Sequence, residues 1–453
     1  MARTPTRRDV LTALLGTGAL SAFTGFNPIL LPSARAQEVA TDRYFLFCYF
    51  SGGWDLLMSL DPRDPSVFSP DLKKVTRIET GFEKLPADRR ELVSTSVEAM
   101  KFGPYIGRLA QHADKLCVVR GLSMDTLTHE VGRRRFITGI PPAGLQAQGS
   151  SLMTVLASHL GANDPIPQLS VRVESYNDRF PSYASAIKVG TVDDLLRALR
   201  NAPDSLQIAE QQAIDEVLEA FRACPESQAD AFLKVAHESR HAAADLVSLN
   251  LAGAFDFSSN TATAEAIRDR YGFAANELKS AGAQAAAAVT ALTSGIARTA
   301  SVMVAEDLDA HGPEWATAHG PRLEAGFDVV AAILEDLASR EYGTSGDSWL
   351  DHTTVIGFSE FARTAMLNSS GGRDHHLVNA AFLAGAGIRG GTVLGASSDL
   401  GMAPVAVDLA TGARDPGGTV VNPEHIFRAL LQDVGIEEDV ADYRKNPFTA
   451  VLS

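Results

Sequence analysis

A mostly parallel α/β sheet carrying a helical insertion is the fold class this 453-residue sequence predicts, and three observations carry it. The run Tyr44–Phe50 (YFLFCYF) is continuously apolar, the pattern of a strand buried on both faces. Further short strand-like runs alternate with helical stretches. Acids and histidines fall just after the strand ends, where the loops of an open α/β sheet gather around ligands.

The chain opens on an address. Arg3, Arg7 and Arg8 form a basic start, an apolar run extends from Val10 to about Phe23, and Ala34-Arg35-Ala36 supplies a cleavage pattern before Gln37. Residues 1–36 therefore read as a signal peptide. Thr6-Arg7-Arg8-Asp9-Val10-Leu11 fits the twin-arginine form, which predicts recognition by that export machinery and a periplasmic or secreted mature chain. The apolar run is too short and too rich in Gly and Thr to span a bilayer, and no transmembrane helix is expected in the mature chain.

Residues 37–453 read as a single domain, since α/β units often run to about 250 residues or beyond without dividing. Tyr44–Phe50 ends in Ser51-Gly52-Gly53-Trp54-Asp55, a tight turn that presents a carboxylate. Leu116–Val119 and Leu169–Val173 are further short strands. From about Val192 to Arg298 the chain turns to Ala-, Leu- and Glu-rich amphipathic stretches, a helical insertion broken near Pro203, Pro225 and Phe255–Asn260. Strand character returns at Ala300–Ala305, Thr353–Phe358 and Ala380–Ala384, with a helix over about Leu323–Ser339.

Composition narrows the function. Hydrophobic residues at 45% and charged residues at 21% exclude a disordered chain and a polytopic membrane protein. A net charge of −15 argues against nucleic-acid binding. Three cysteines (Cys48, Cys117, Cys224) without a CxxC pair allow at most one bridge, so packing must supply the stability.

Two motifs mislead. His237-Glu238-Ser239-Arg240-His241 satisfies H-E-x-x-H, but Arg240 sets a cation beside a proposed ligand and no third ligand follows closely. It reads as a solvated helix face. Gly385-Ala386-Gly387-Ile388-Arg389-Gly390 matches G-x-G-x-x-G, yet Gly391–Gly395 continues as a strand, so the helix N-terminus for a pyrophosphate is missing. A glycine-rich hairpin is the expectation.

Four clusters at strand ends carry the chemistry: Asp55; Asp307-Leu308-Asp309-Ala310-His311; Ser359-Glu360-Phe361-Ala362-Arg363; and Arg373-Asp374-His375-His376. A parallel sheet brings such positions to one edge, and carboxylates with imidazoles are ligands for zinc-, manganese- or iron-type ions.

Gly52-Gly53-Trp54-Asp55, Leu308-Asp309-Ala310-His311, Ser359–Thr364, Asn368, Gly372–His375 and the Gly385–Gly395 stretch resemble the motifs of the DUF1501 family of exported bacterial proteins. The resemblance spans nearly the whole mature chain, with Leu308 where the family pattern has Trp and Ala362 where it has Gly. It implies a doubly wound sheet of alkaline phosphatase-like type and a metal-assisted phosphate or sulfate ester site. Carried over, it implies Asp55, Asp309, His311, Glu360 and His375 as ligands of one or two divalent ions, zinc or manganese, with Asp307 competing with Asp309. The nucleophile position falls on Thr128, in Thr126–Glu130, where relatives show Ser-His. A helix start there would favour an alkoxide, and the alternative reading of Thr128 is an N-cap residue with no chemistry. Arg363 or Arg373 would balance an anion, and His129 is a less favoured base, since neighbours on a helix point apart. The expected function is an exported metal-dependent hydrolase-like protein acting on anionic small-molecule or envelope esters. The alternative is a non-catalytic envelope binding or assembly protein on the same fold.

Overall fold

The computed structural model describes residues 41–199, 208–225, 233, 251–436 and 440–453. The leader and the H-E-x-x-H segment lie outside the described residues. The described strands are β1 (Tyr44–Phe50), β2 (Leu116–Ser123), β3 (Gln168–Val171), β4 (Ile187–Val189), β5 (Thr299–Ala305), β6 (Thr353–Ser359), β7 (Ala362–Arg363), β8 (His375–His376), β9 (Val378–Gly385) and β10 (Thr392–Gly395). Eight of them form one sheet in the order β10-β2-β9-β6-β1-β5-β3-β4, while β7 and β8 form a small ribbon.

β1 is central, paired in parallel with β5 and β6, and every one of its seven residues is buried. Its alternating side chains feed two separate cores, as a period of two requires. Leu46, Cys48 and Phe50 join one core with helices α6 (Ala281–Thr293) and α7 (Gly320–Ser339). Phe45, Phe47 and Tyr49 join the other with α1 (His129–Thr138), α2 (Leu152–Leu160) and α8 (Pro423–Asp433). Helices on both faces explain why the strand sequence is apolar throughout.

The amphipathic region contains α3 (Val192–Leu199), α4 (Ile208–Arg222), α5 (Ala262–Tyr271) and α6. Of these, α6 is no appendage. Its residues Gly282–Leu292 are all buried and it packs against β5, which it feeds directly. Alanine suits that place, combining high helix propensity with a small side chain that lets the helix lie close to the sheet.

Only β9 runs against the rest: Ser123 at the end of β2 pairs with Val378 at the start of β9. Reversal puts the residues before β9, Arg373–His376, at the same edge as the carboxyl ends of β1, β5 and β6. The expected Gly385–Gly395 hairpin is corrected here. β9 and β10 are both strands, but β2 lies between them and pairs with each, so the glycines cross over a strand instead of turning between neighbours. Among the described residues no helix is long and apolar enough to cross a membrane.

Candidate metal centre

Local geometry at the carboxyl edge begins with the glycines after β1. Gly52 has φ +113, open to glycine at little cost, and a Cβ there would lie 2.6 Å from Leu308 N and 2.7 Å from Asp309 N. The turn after β1 therefore lies directly on the loop after β5. Gly372 serves the same end: a Cβ would sit 2.2 Å from the His311 carbonyl carbon. The ribbon completes the gathering by pairing Arg363 with His375 across β7 and β8.

Three histidines and one aspartate meet there. His129 Nδ1 lies 2.8 Å from Glu360 Oε1, His311 Nδ1 2.8 Å from Asp374 Oδ1, and His375 Nδ1 2.6 Å from the Leu127 carbonyl. Ionised carboxylates and carbonyls only accept, so each Nδ1 carries a proton and each ring turns its Nε2 inward. Those Nε2 atoms converge on Asp309. His129 Nε2 is 3.5 Å from its Oδ2, while His311 Nε2 and His375 Nε2 are 3.0 and 3.4 Å from its Oδ1 and 3.0 Å from each other.

Lone pairs this close repel unless a positive charge, a cation or a shared proton, lies among them. Arg363 provides one from behind, with Nη2 2.6 Å from Asp309 Oδ1 and Nη1 3.4 Å from His311 Nε2. Its guanidinium is closed to solvent and held by the Gly52 and Gly53 carbonyls. His129 Nε2 remains buried without a hydrogen-bond partner. Imidazoles whose far nitrogens are fixed by carboxylates or carbonyls are the usual arrangement around a metal. Tetrahedral zinc, with bonds of about 2.0–2.1 Å, spaces its ligands about 3.3 Å apart. The donor atoms of His129, Asp309 and His375 all lie within 4.8 Å of one another, and the group fits a divalent ion.

Electrostatics follow from these contacts. Partial burial opposes charge on Asp309, but the Arg363 hydrogen bond and charge, with His129 and His311, hold its carboxyl down to about 2. Burial also opposes a proton on His129, yet Glu360 and Asp309 outweigh it and raise its pKa. His375 moves down, chiefly through burial, with Arg363 and His129 adding to the effect.

The structure thus brings together Asp309, His311 and His375 of the expected ligands, and adds His129. Glu360 stands one step back. It is buried, and its oxygens are engaged by His129 Nδ1, Gly52 N at 2.9 Å and Ser359 Oγ at 2.9 Å, so it orients an imidazole. Asp55 is not at the cluster: its carboxylate is buried against Arg373 and Trp315. Arg373 is equally buried, so it does not face the exposed side of the cluster, where Asp309 is 49% and His311 45% exposed. Asp307 is exposed at φ 57, with its backbone carbonyl accepting from Arg322. Thr128 is the N-cap of α1, makes no side-chain cap bond, and lies between Leu127, whose carbonyl holds His375, and His129.

His129 and Asp374 are the residues that sequence reasoning undervalued. The signal for His129 was its place at the first turn of a helix, which reaches the edge even though its neighbours point elsewhere. Asp374 stood in the Arg373–His376 cluster without a role, and its orientation became visible only in the structure, where Asn368 Nδ2 donates to both Asp374 Oδ1 and the His311 carbonyl at 2.9 Å.

Helix α1 is itself anchored one turn beyond His129. Arg133 Nη2 and Arg134 Nε donate to Glu174 at 2.6 and 3.2 Å, and Tyr176 donates to it as well. Burial pushes the Glu174 carboxyl up, but these hydrogen bonds outweigh it and leave its pKa below the usual range. A depressed folded pKa contributes stability that is present above the ordinary glutamate value of about 4.3 and lost as pH falls through the folded value. Glu174→Gln is therefore expected to lower Tm at pH 7, with the gap to wild type closing as the pH drops below about 4. A gap independent of pH in melting curves would show that the charge is not what anchors α1.

Fold and cluster together define an α/β protein with a candidate divalent-metal centre at the carboxyl edge of its sheet. The chain belongs to the DUF1501 family, whose profile, described as a protein of unknown function, matches residues 44–414. No curated protein matches it. Among solved structures it is similar to a protein in the alkaline phosphatase superfamily from Vibrio parahaemolyticus, at 10% identity and a TM-score of 0.36, over 96% of this chain and 76% of that one. It is also similar to the alkaline phosphatase of the Antarctic bacterium TAB5, at 10% identity and a TM-score of 0.33, over 89% of this chain and all of that one.

Proposed function

We propose that the protein is a metal-dependent hydrolase of phosphate or sulfate esters that works outside the cytoplasm. The observation that carries this reading is the convergence of three Nε2 atoms, each with its Nδ1 tied back, on the Asp309 carboxylate. His129, His311, His375 and Asp309 would hold the ion, and three nitrogens with one oxygen favour zinc over manganese. When bound, such an ion supplies Lewis-acid polarisation of an ester oxygen and lowers the pKa of a coordinated hydroxyl. Arg363 holds a fixed positive charge behind the centre, and the first turn of α1 favours an anion. Thr128, whose side chain makes no cap bond, is the proposed nucleophile.

One observation favours a non-catalytic binding role instead: Arg363 already neutralises Asp309. Purified mature protein separates the two readings by its metal content and its turnover of aryl phosphate and aryl sulfate esters. Near-stoichiometric zinc with turnover supports the hydrolase, whereas metal-free protein without turnover supports the rival. Export rests on Arg7, Arg8 and Ala34–Ala36. Changing both arginines to Lys is expected to leave precursor in the cytoplasm, and an exported chain that still begins at Met1 would remove the cleavage claim.

A further inference from the structure

We propose that the centre holds one metal ion per chain, because the Asp55–Arg373 pair takes the place of a second. This rests on the metal-centre reading above and concerns the number of ions it holds. Asp55 is 1% exposed and has no open oxygen: Oδ1 accepts from Met58 N at 3.1 Å, while Oδ2 accepts from Trp315 Nε1 at 2.7 Å and lies 2.9 Å from Arg373 Nε. Arg373 is fixed just as firmly. Its Nη1 donates to the Thr364 carbonyl at 2.8 Å, its Nη2 donates to those of Glu79 and Thr80 at 2.7 and 2.9 Å, and it lies over the Trp315 ring.

Asp309 also touches a guanidinium, but its side chain is 49% exposed and its Oδ2 is turned to His129. A second cation at Asp55, 1% exposed, would instead meet Arg373 on a carboxylate engaged through both oxygens. Two positive groups in a buried space repel strongly, and expelling the arginine would strand a set of carbonyls without donors. Glu360, the other buried acid of the expected ligand set, is likewise closed by His129, Gly52 and Ser359. That leaves His129, Asp309 and His375, whose donor atoms lie within 4.8 Å of one another, as the donor group among the described residues. His311 Nε2 lies 3.0 Å from Asp309 Oδ1 and from His375 Nε2, and the set is sufficient for one ion.

The pair also braces that ion's ligands. Arg373 N donates to the Ala310 carbonyl, between Asp309 and His311, at 3.0 Å, and its carbonyl accepts from Arg363 Nη1 at 3.2 Å. On the other side, the Trp54 carbonyl beside Asp55 accepts from Arg363 N at 3.1 Å. Asp55 and Arg373 are thus positioning residues that clamp the turn after β1 to the loops bearing the ligands.

The test counts ions. Mature protein stripped with chelator, incubated with excess zinc and desalted is analysed by mass spectrometry of the metal, with a chelator competition for affinity. One ion per chain is expected for wild type and for Asp55→Asn, with affinity in the variant weakened about 10-fold, as for partners that orient ligands. Should Asp55→Asn fold poorly, Asp55→Asn with Arg373→Met removes both charges and is expected to keep one ion. Two ions per wild-type chain, or loss of the ion from a folded Asp55→Asn chain, would overturn the single-ion assignment while leaving a metal centre in place. No ion in wild type would overturn the metal-centre reading and this inference with it.

Discussion

Asp309→Asn is expected to strip the protein of divalent metal while leaving it folded. Asp309 is the one carboxylate on which all three inward nitrogens converge, and its charge is secured by Arg363, which holds its pKa near 2 against the opposing effect of partial burial. Asparagine keeps the shape and discards the charge. Metal affinity should fall more than about 100-fold, beyond the 10–100-fold that loss of an orienting partner costs. Glu360→Gln, which disturbs only the support of His129, should fall inside that smaller range. Removing the charge leaves the buried Arg363 guanidinium without its carboxylate partner, so the chelated variant should melt somewhat below chelated wild type. Zinc should raise the Tm of wild type alone, because a ligand that binds only the native state stabilises it by mass action. Equal zinc content in the two proteins would place the ion elsewhere.

Thr128→Ala is the second large effect: ester hydrolysis should fall by several orders of magnitude with metal content unchanged. A threonine hydroxyl is a weak nucleophile at neutral pH and needs activation. Its neighbours already belong to the centre, through the Leu127 carbonyl on His375 Nδ1 and through His129 itself. His129 is not free to act as base, since its Nδ1 faces Glu360 and its Nε2 faces Asp309. The N-cap role makes little claim on the hydroxyl, because the side chain forms no cap bond to α1. Loss of a cap would cost about 1 kcal/mol, and less is expected here. Melting curves and aryl-ester turnover separate the roles: equal turnover by both proteins would remove Thr128 from the mechanism.

By itself the sequence determined the main buried strands, the fold class and the edge at which the candidate site lies. Tyr44–Phe50, Ala300–Ala305 and Thr353–Phe358 are apolar runs whose burial on both faces follows from hydrophobicity alone, and acids after strand ends mark the carboxyl edge of such a sheet. Asp309, His311 and His375 were legible because they sit in loops at that edge.

Tertiary structure alone decided which acids face open space and which face a cation. Asp55 and Asp309 follow strand ends in the same way, and each meets an arginine, yet Asp55 is sealed against Arg373, 318 positions away in the chain, while Asp309 stays half exposed and also meets three imidazoles. The direction of β9, the strand between β9 and β10, and the entry of His129 from the first turn of α1 were equally hidden. The physical reason is common to all of them. Burial of a strand is a local property of its side chains, whereas the partner of a charge depends on which distant loop packs over it, and that is set by sheet order.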